Sequence, residues 1–260
     1  MRRGFSIVGL LVVVAVLLVM YAMFYGSISG LKSGTDDAGR AVPASPGRLT
    51  DMFQTQQLMQ SLISSSIGGD PAFPRPSDLT GDEGDDVTAA VYSLLIAQRI
   101  VSPDALISDM DWGNVEPYDQ YDWHAWNPAE GEYWDAGFSA DLDEYSNVSY
   151  AHLVLYGDRA THWSSRRMDS TMPVLGNRGP EGGVPSVDSL TCDPDTGRWA
   201  GYFAYGDGHV SLVQGLDAAR RAGAGGEDHV FRIDDDDAHG DAILGFTRSI
   251  GRSGPMLQWD

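Results

Sequence analysis

The chain has 260 residues, 42% of them apolar, enough for one sizeable elaborated domain or two small ones. Lys+Arg 17 against Asp+Glu 37 gives a formal charge of −20 and a pI near 4.4, which argues against phosphate backbones and anionic lipid surfaces as partners and so against nucleic acid. The single cysteine, Cys192, excludes an intramolecular disulfide, so stability must come from packing, with help from cations as the one supplement.

The first thirty residues, Met1–Gly30, hold two arginines, a glycine and then an apolar run from Phe5 to Tyr25. As a helix that run is roughly 32 Å long, enough to cross a bilayer, so the sequence predicts a transmembrane segment. A cleaved secretory signal has a shorter apolar region ending at a small-residue site, whereas here the small residue, Gly4, precedes the run. Arg2 and Arg3 before the span and the acidic bulk after it predict a single pass through the inner membrane with the globular part outside the cytoplasm.

Arg2-Arg3-Gly4 followed by Phe5 and an apolar helix resembles the type IV prepilin and pseudopilin leader. The resemblance implies a prepilin peptidase that cuts after Gly4, N-methylation of Phe5, and packing of the retained helix against other pilin-like subunits. It also implies a glutamate at the fifth position of the processed chain, where this sequence has Gly9. That acid would neutralise a neighbour's terminal amine inside an apolar bundle, where an unpaired charge is expensive. A subunit lacking it is expected to be minor, placed at a filament tip. The other reading of the segment is an ordinary uncleaved anchor.

Residues 31–48 are rich in Gly, Ser and Pro without apolar period and are expected to be a linker ahead of a globular domain over 49–260. From Asp51 to Ser64, Met52, Met59, Leu62 and Ile63 recur at helical spacing, and Asp51 with Gln54 forms a capping pair at the start. Three prolines and a dense run of acids make 67–86 a loop. Val87, Val91, Leu94 and Leu95 then predict a helix from about 87 to 99, closed before Ser102-Pro103. The stretch 93–109, SLLIAQRIVSPDALISD, is similar to a segment of planctomycete-type pilin-like proteins, in which such a helix leads through a turn to a short strand and a cysteine. Here Ile107-Ser108-Asp109 stands in place of the thiol motif.

Residues 110–146 carry Trp112, Trp123, Trp126 and Trp134 among many acids with little periodicity. Two readings apply: a carbohydrate platform, or a loop whose aromatics supply a local core while the acids stay in water. Alternating apolar residues predict a central strand over 148–158 and a shorter one over 172–180, closed by a Gly-Asn-Arg-Gly-Pro turn. Over 202–213, Gly206-Asp207-Gly208 between two apolar runs predicts a tight hairpin. Its Asp207, Gly208, His209 and Val210 form an Asp-Gly-His-Val piece that recurs near the end of the domain in the same pilin-like group. The glycines permit positive φ and Asp207 can bind backbone amides, which accounts for the residues without catalysis.

Near the end of the chain Asp235, Asp237 and His239-Gly240 partly imitate an EF-hand, but the twelfth loop position is Phe246 where a bidentate glutamate is required. A looser calcium site around Asp235, Asp237 and Asp241 is the alternative to a solvated acid run; calcium is the one cofactor the sequence suggests, and major pseudopilins carry one in their C-terminal loops. The six histidines form no metal-binding helical spacing, and no nucleophile elbow or phosphate-binding loop occurs, so no enzyme is expected; a zinc site from His152, His209 and an Asp would have to arise by folding. The expected fold is α+β and pilin-like: a leader at 1–4, a long N-terminal transmembrane and assembly helix at 5–30, then an antiparallel sheet with additional helices. The expected function is a non-enzymatic subunit of a type IV pilus-like or type II secretion-like assembly, the alternative being a membrane-anchored extracytoplasmic polysaccharide- or metal-binding protein.

Overall fold

Every residue from 146 to 155 is buried, the apolar ones by packing and Ser146, Asn147, Ser149 and His152 with hydrogen-bond partners, and the central part of the stretch forms the strand around which the sheet is laid. The computed structural model describes residues 34–35, 41–42, 46–67, 69–111, 114–167, 169–183, 199–216, 219–220, 227–228, 230–231 and 244–258. Two compact units divide at residue 46. In the first, β1 (Gly34–Thr35) and β2 (Ala41–Val42) form a two-residue antiparallel ladder.

The second unit, from Gly47 on, holds helix α1 (Pro46–Ser65) but for its first residue, helices α2 (Ser77–Thr80) and α3 (Thr88–Ala97), and a sheet of six antiparallel strands. These are β3 (Tyr150–Leu153), β4 (Pro173–Asn177), β5 (Ala200–Tyr205), β6 (Val210–Gln214), β9 (Leu244–Gly251) and β10 (Gly254–Gln258), in the order β10-β9-β3-β4-β5-β6. The small ladder β7 (Ala219–Arg220) with β8 (Glu227–Asp228) stands apart from it. Close approach of aromatic rings dictates glycine at two sheet positions: a Cβ on Gly176 would lie 2.4 Å from the Phe203 ring and one on Gly201 2.8 Å from Trp199. Trp199, Phe203 and Phe231 pack there with ring centroids 5.1–5.9 Å apart.

Helix α1 buries Arg48, Asp51, Met52, Thr55, Leu58, Met59 and Leu62, a stripe at three- and four-residue spacing. Its second half supplies Leu58, Met59 and Leu62 to the main core, each contributing about 1.5–3 kcal/mol by burial. The helix starts five residues before the expected capping pair, so Asp51 is not a cap but a fully buried residue of its interior, and Gln54 donates its amide to the Ile107 carbonyl at 3.1 Å. Helix α3 falls where expected. It ends in a Schellman motif, with Ile100 N–H on the Leu95 carbonyl at 2.9 Å and Arg99 N–H on that of Ile96 at 2.7 Å, four residues before Pro103.

The expected architecture is corrected on one point. Among the described residues no helix is long and apolar enough to cross a membrane. Helix α1 has the length, with 20 residues, but carries Arg48, Asp51 and four glutamines, whose burial in lipid would be prohibitive. The described chain is a six-stranded antiparallel sheet with few helices. A long transmembrane helix, a single-pass membrane chain and inner-membrane localisation are therefore not retained, and Met1–Gly30, on which they rested, lies outside the described residues.

Candidate functional site: the helix-seated hairpin turn and the aromatic loop

The Asp-Gly-His-Val piece joins β5 to β6, and the two strands pair from Ala200↔Gln214 to Ala204↔Val210. The turn closes through Gly208 N–H on the Tyr205 carbonyl at 2.8 Å and Tyr205 N–H on that of His209 at 3.0 Å. Gly208 has φ +89°, a conformation that strains any side chain, and a Cβ there would lie 2.9 Å from Ile63 Cδ1 of α1. The Gln56 amide of α1 donates to the Gly208 carbonyl at 3.0 Å. Glycine is thus required twice at this position, by the turn and by the helix pressed against it.

Asp207 and His209 are used within the turn. The Asp207 carboxylate accepts the His209 N–H at 3.1 Å and meets His209 Nδ1 at 2.5 Å, while the imidazole stacks on Tyr205 at 4.4 Å and 3°. Burial pushes the Asp207 pKa up, but the His209 amide and ring outweigh it and the carboxyl lies below its ordinary value. Val210 begins β6 half-buried against the core.

A second anchor holds α1 to the sheet. Asp51 Oδ1 accepts hydrogen bonds from the Ser108 hydroxyl, from the Tyr150 hydroxyl of β3 at 2.9 Å and from the Asn177 amide of β4 at 3.1 Å, whereas Oδ2 is buried without a hydrogen bond. Burial raises the Asp51 pKa against these three bonds, and nearby Asp111 adds to the rise. Asp111 itself pairs with Arg178 at 3.1 Å, both side chains nearly sequestered from water.

His152 is a core residue. Its Nδ1 donates to the Leu153 carbonyl at 2.7 Å, which leaves Nε2 to accept from the Thr88 hydroxyl at 3.0 Å, and Thr88 accepts in turn from Thr247 N–H at 2.7 Å. One hydroxyl therefore ties the start of α3 to β3 and β9. Both imidazole nitrogens being engaged, His152 is not placed to join exposed His209 in a zinc site, and among the described residues no three His, Cys, Asp or Glu are grouped to hold a metal ion. Gly4, Phe5, Gly9, Asp235, Asp237 and Asp241 lie outside the described residues.

The loop over 110–146 divides between the two readings. Tyr118, Tyr121 and Phe138 interlock edge to face at 6.1 and 6.0 Å, a local core, and the Tyr121 hydroxyl donates to the Ser93 carbonyl at 2.6 Å. Trp123 and Trp126 instead remain 47% and 41% exposed. A cleft of about 1070 Å³ runs between the 70–83 segment and residues 155–167; it is lined by four arginines and four carboxylates, a balanced set with no preferred sign of ligand.

Asp51, Gln56 and Ile63 were missed as site residues by sequence reasoning. An acid near a helix start reads as a cap, and nothing local marks a glutamine that seats a distant turn. No protein-family model, no curated protein and no solved structure matches this chain.

Proposed function

We propose that the chain is a non-enzymatic subunit of a type IV pilus-like or type II secretion-like assembly, acting through other pilin-like subunits. The observation that carries this reading is the seating of the Asp207–Val210 turn on α1 by Gln56 and Ile63, because it gives the motif resembling the pilin-like group an architectural task. Asp207 and His209 bond to each other within the turn, and His152 is hydrogen-bonded through both ring nitrogens inside the core. Gly9 in place of the family acid adds low copy number to the proposal.

The test is cross-linking of the tagged full chain in its native host, followed by mass spectrometry of what it carries. Proteins with prepilin-type leaders should be enriched over a tagged control, each in excess of the tagged chain. Recovery of the chain with no such protein overturns the proposal, and abundance above all its partners overturns the minor role.

A further inference from the structure

Trp123 and Trp126 lie three residues apart, the first opening a short 3-10 turn (Trp123–Ala125) and the second directly following it, and both present a large part of an indole to water. They are held in place. Asn127 N–H donates to the Glu132 carbonyl at 2.8 Å and Glu132 N–H returns a bond to Asn127 at 3.1 Å, a closed turn in which Gly131 takes φ +80°. Trp126 and Tyr133 flank that turn with ring centroids 6.2 Å apart, and Trp134 follows Tyr133 at 6.2 Å. Trp123 is held by Tyr121 at 5.0 Å and by the Arg99 guanidinium, 5.7 Å from its ring centroid. Arg99 is the one non-glycine with positive φ among the described residues, at +59°. That conformation belongs to the Schellman motif that closes α3, and it leaves the Arg99 side chain set over an exposed ring.

The surroundings select the ligand. Asp119, Asp122, Glu130 and Glu132 are exposed among these rings, and the chain as a whole carries −20, so an anionic ligand is repelled. The buried centre of a protein interface is depleted of such acids. Sugars want this combination, because their C–H faces stack on indoles and their hydroxyls donate to carboxylates. We infer that the loop binds an uncharged polysaccharide, with Trp123 and Trp126 as stacking surfaces and Glu130 and Glu132 as hydroxyl acceptors. This site is independent of the assembly proposed above and would equip one subunit of it to hold a glycan.

Affinity electrophoresis of the full chain tests the site, in gels containing hydroxyethyl cellulose, galactomannan or glycogen, with polygalacturonate and heparin as anionic controls. The wild-type chain should be retarded in at least one neutral gel and in neither anionic one. Trp123→Ala and Trp126→Ala should each weaken retardation about tenfold, with Trp126→Phe between, while the chain stays folded at the assay temperature with a midpoint lowered only by the lost half-burial of one ring. Absence of retardation in every neutral gel, retardation confined to the anionic gels, or equal retardation of wild type and alanine variants would each overturn the inference.

Discussion

Asp51→Ala is expected to lower the unfolding free energy by about 3–5 kcal/mol, a large fraction of a typical domain's total. The substitution strips the acceptor from the Ser108 hydroxyl, the Tyr150 hydroxyl and the Asn177 amide at once, three buried donors. Asp51→Asn keeps an acceptor oxygen and should cost far less. The two variants also separate in pH. Asp51 has a folded pKa raised above its ordinary value of 3.8, so the folded state holds the proton more tightly. Its contribution to stability is then greatest below 3.8 and is lost as pH rises through the folded value. Stability of Asp51→Asn relative to wild type should therefore improve as pH rises over that window. Urea titrations of the full chain followed by tryptophan fluorescence read both effects as midpoint shifts at constant slope. A cost below about 1 kcal/mol for Asp51→Ala would remove this residue from its place as the anchor of α1.

The second large effect is acid sensitivity through His152. Burial lowers its pKa from 6.5 to about 4, opposed only by the bond to the Leu153 carbonyl. A histidine whose folded pKa is depressed stabilises the fold above its unfolded value and loses that contribution as pH falls. Between pH 6.5 and about 4 the loss amounts to about 3 kcal/mol. Asp51, whose folded pKa is raised, works in the opposite sense, so the comparison is between wild type and His152→Gln across the same pH series. The variant starts lower, since it disturbs the bonds to Thr88 and Leu153, but its stability should be flatter toward acid. Equal slopes would mean that His152 is not buried neutral in solution.

What the sequence made legible followed from local signals. The helix at Thr88–Ala97 has apolar residues at helical period, and the β5–β6 turn has Asp-Gly between two apolar runs. The anchors of α1 had no such signal. The partners of Asp51 stand 57, 99 and 126 residues away, and only the folded sheet brings them to one carboxylate. Sequence reasoning gave the Asp-Gly-His-Val residues a turn and no partner, because Gln56 is 152 residues from Gly208. The aromatic loop was legible as aromatic but not as divided. Tyr121 goes inward, its hydroxyl on the Ser93 carbonyl, while Trp126 packs on Tyr133 beside the Asn127–Glu132 turn and keeps part of its ring in water.

The most direct test of the assembly-subunit account is the intact mass of the mature protein isolated from its native host. A chain beginning at Phe5 and carrying one added methyl on its terminal amine is the predicted result, and Gly4 replaced by a bulky residue should leave the leader in place. A mature protein that still begins at Met1, or that has lost everything through Gly30, would contradict it.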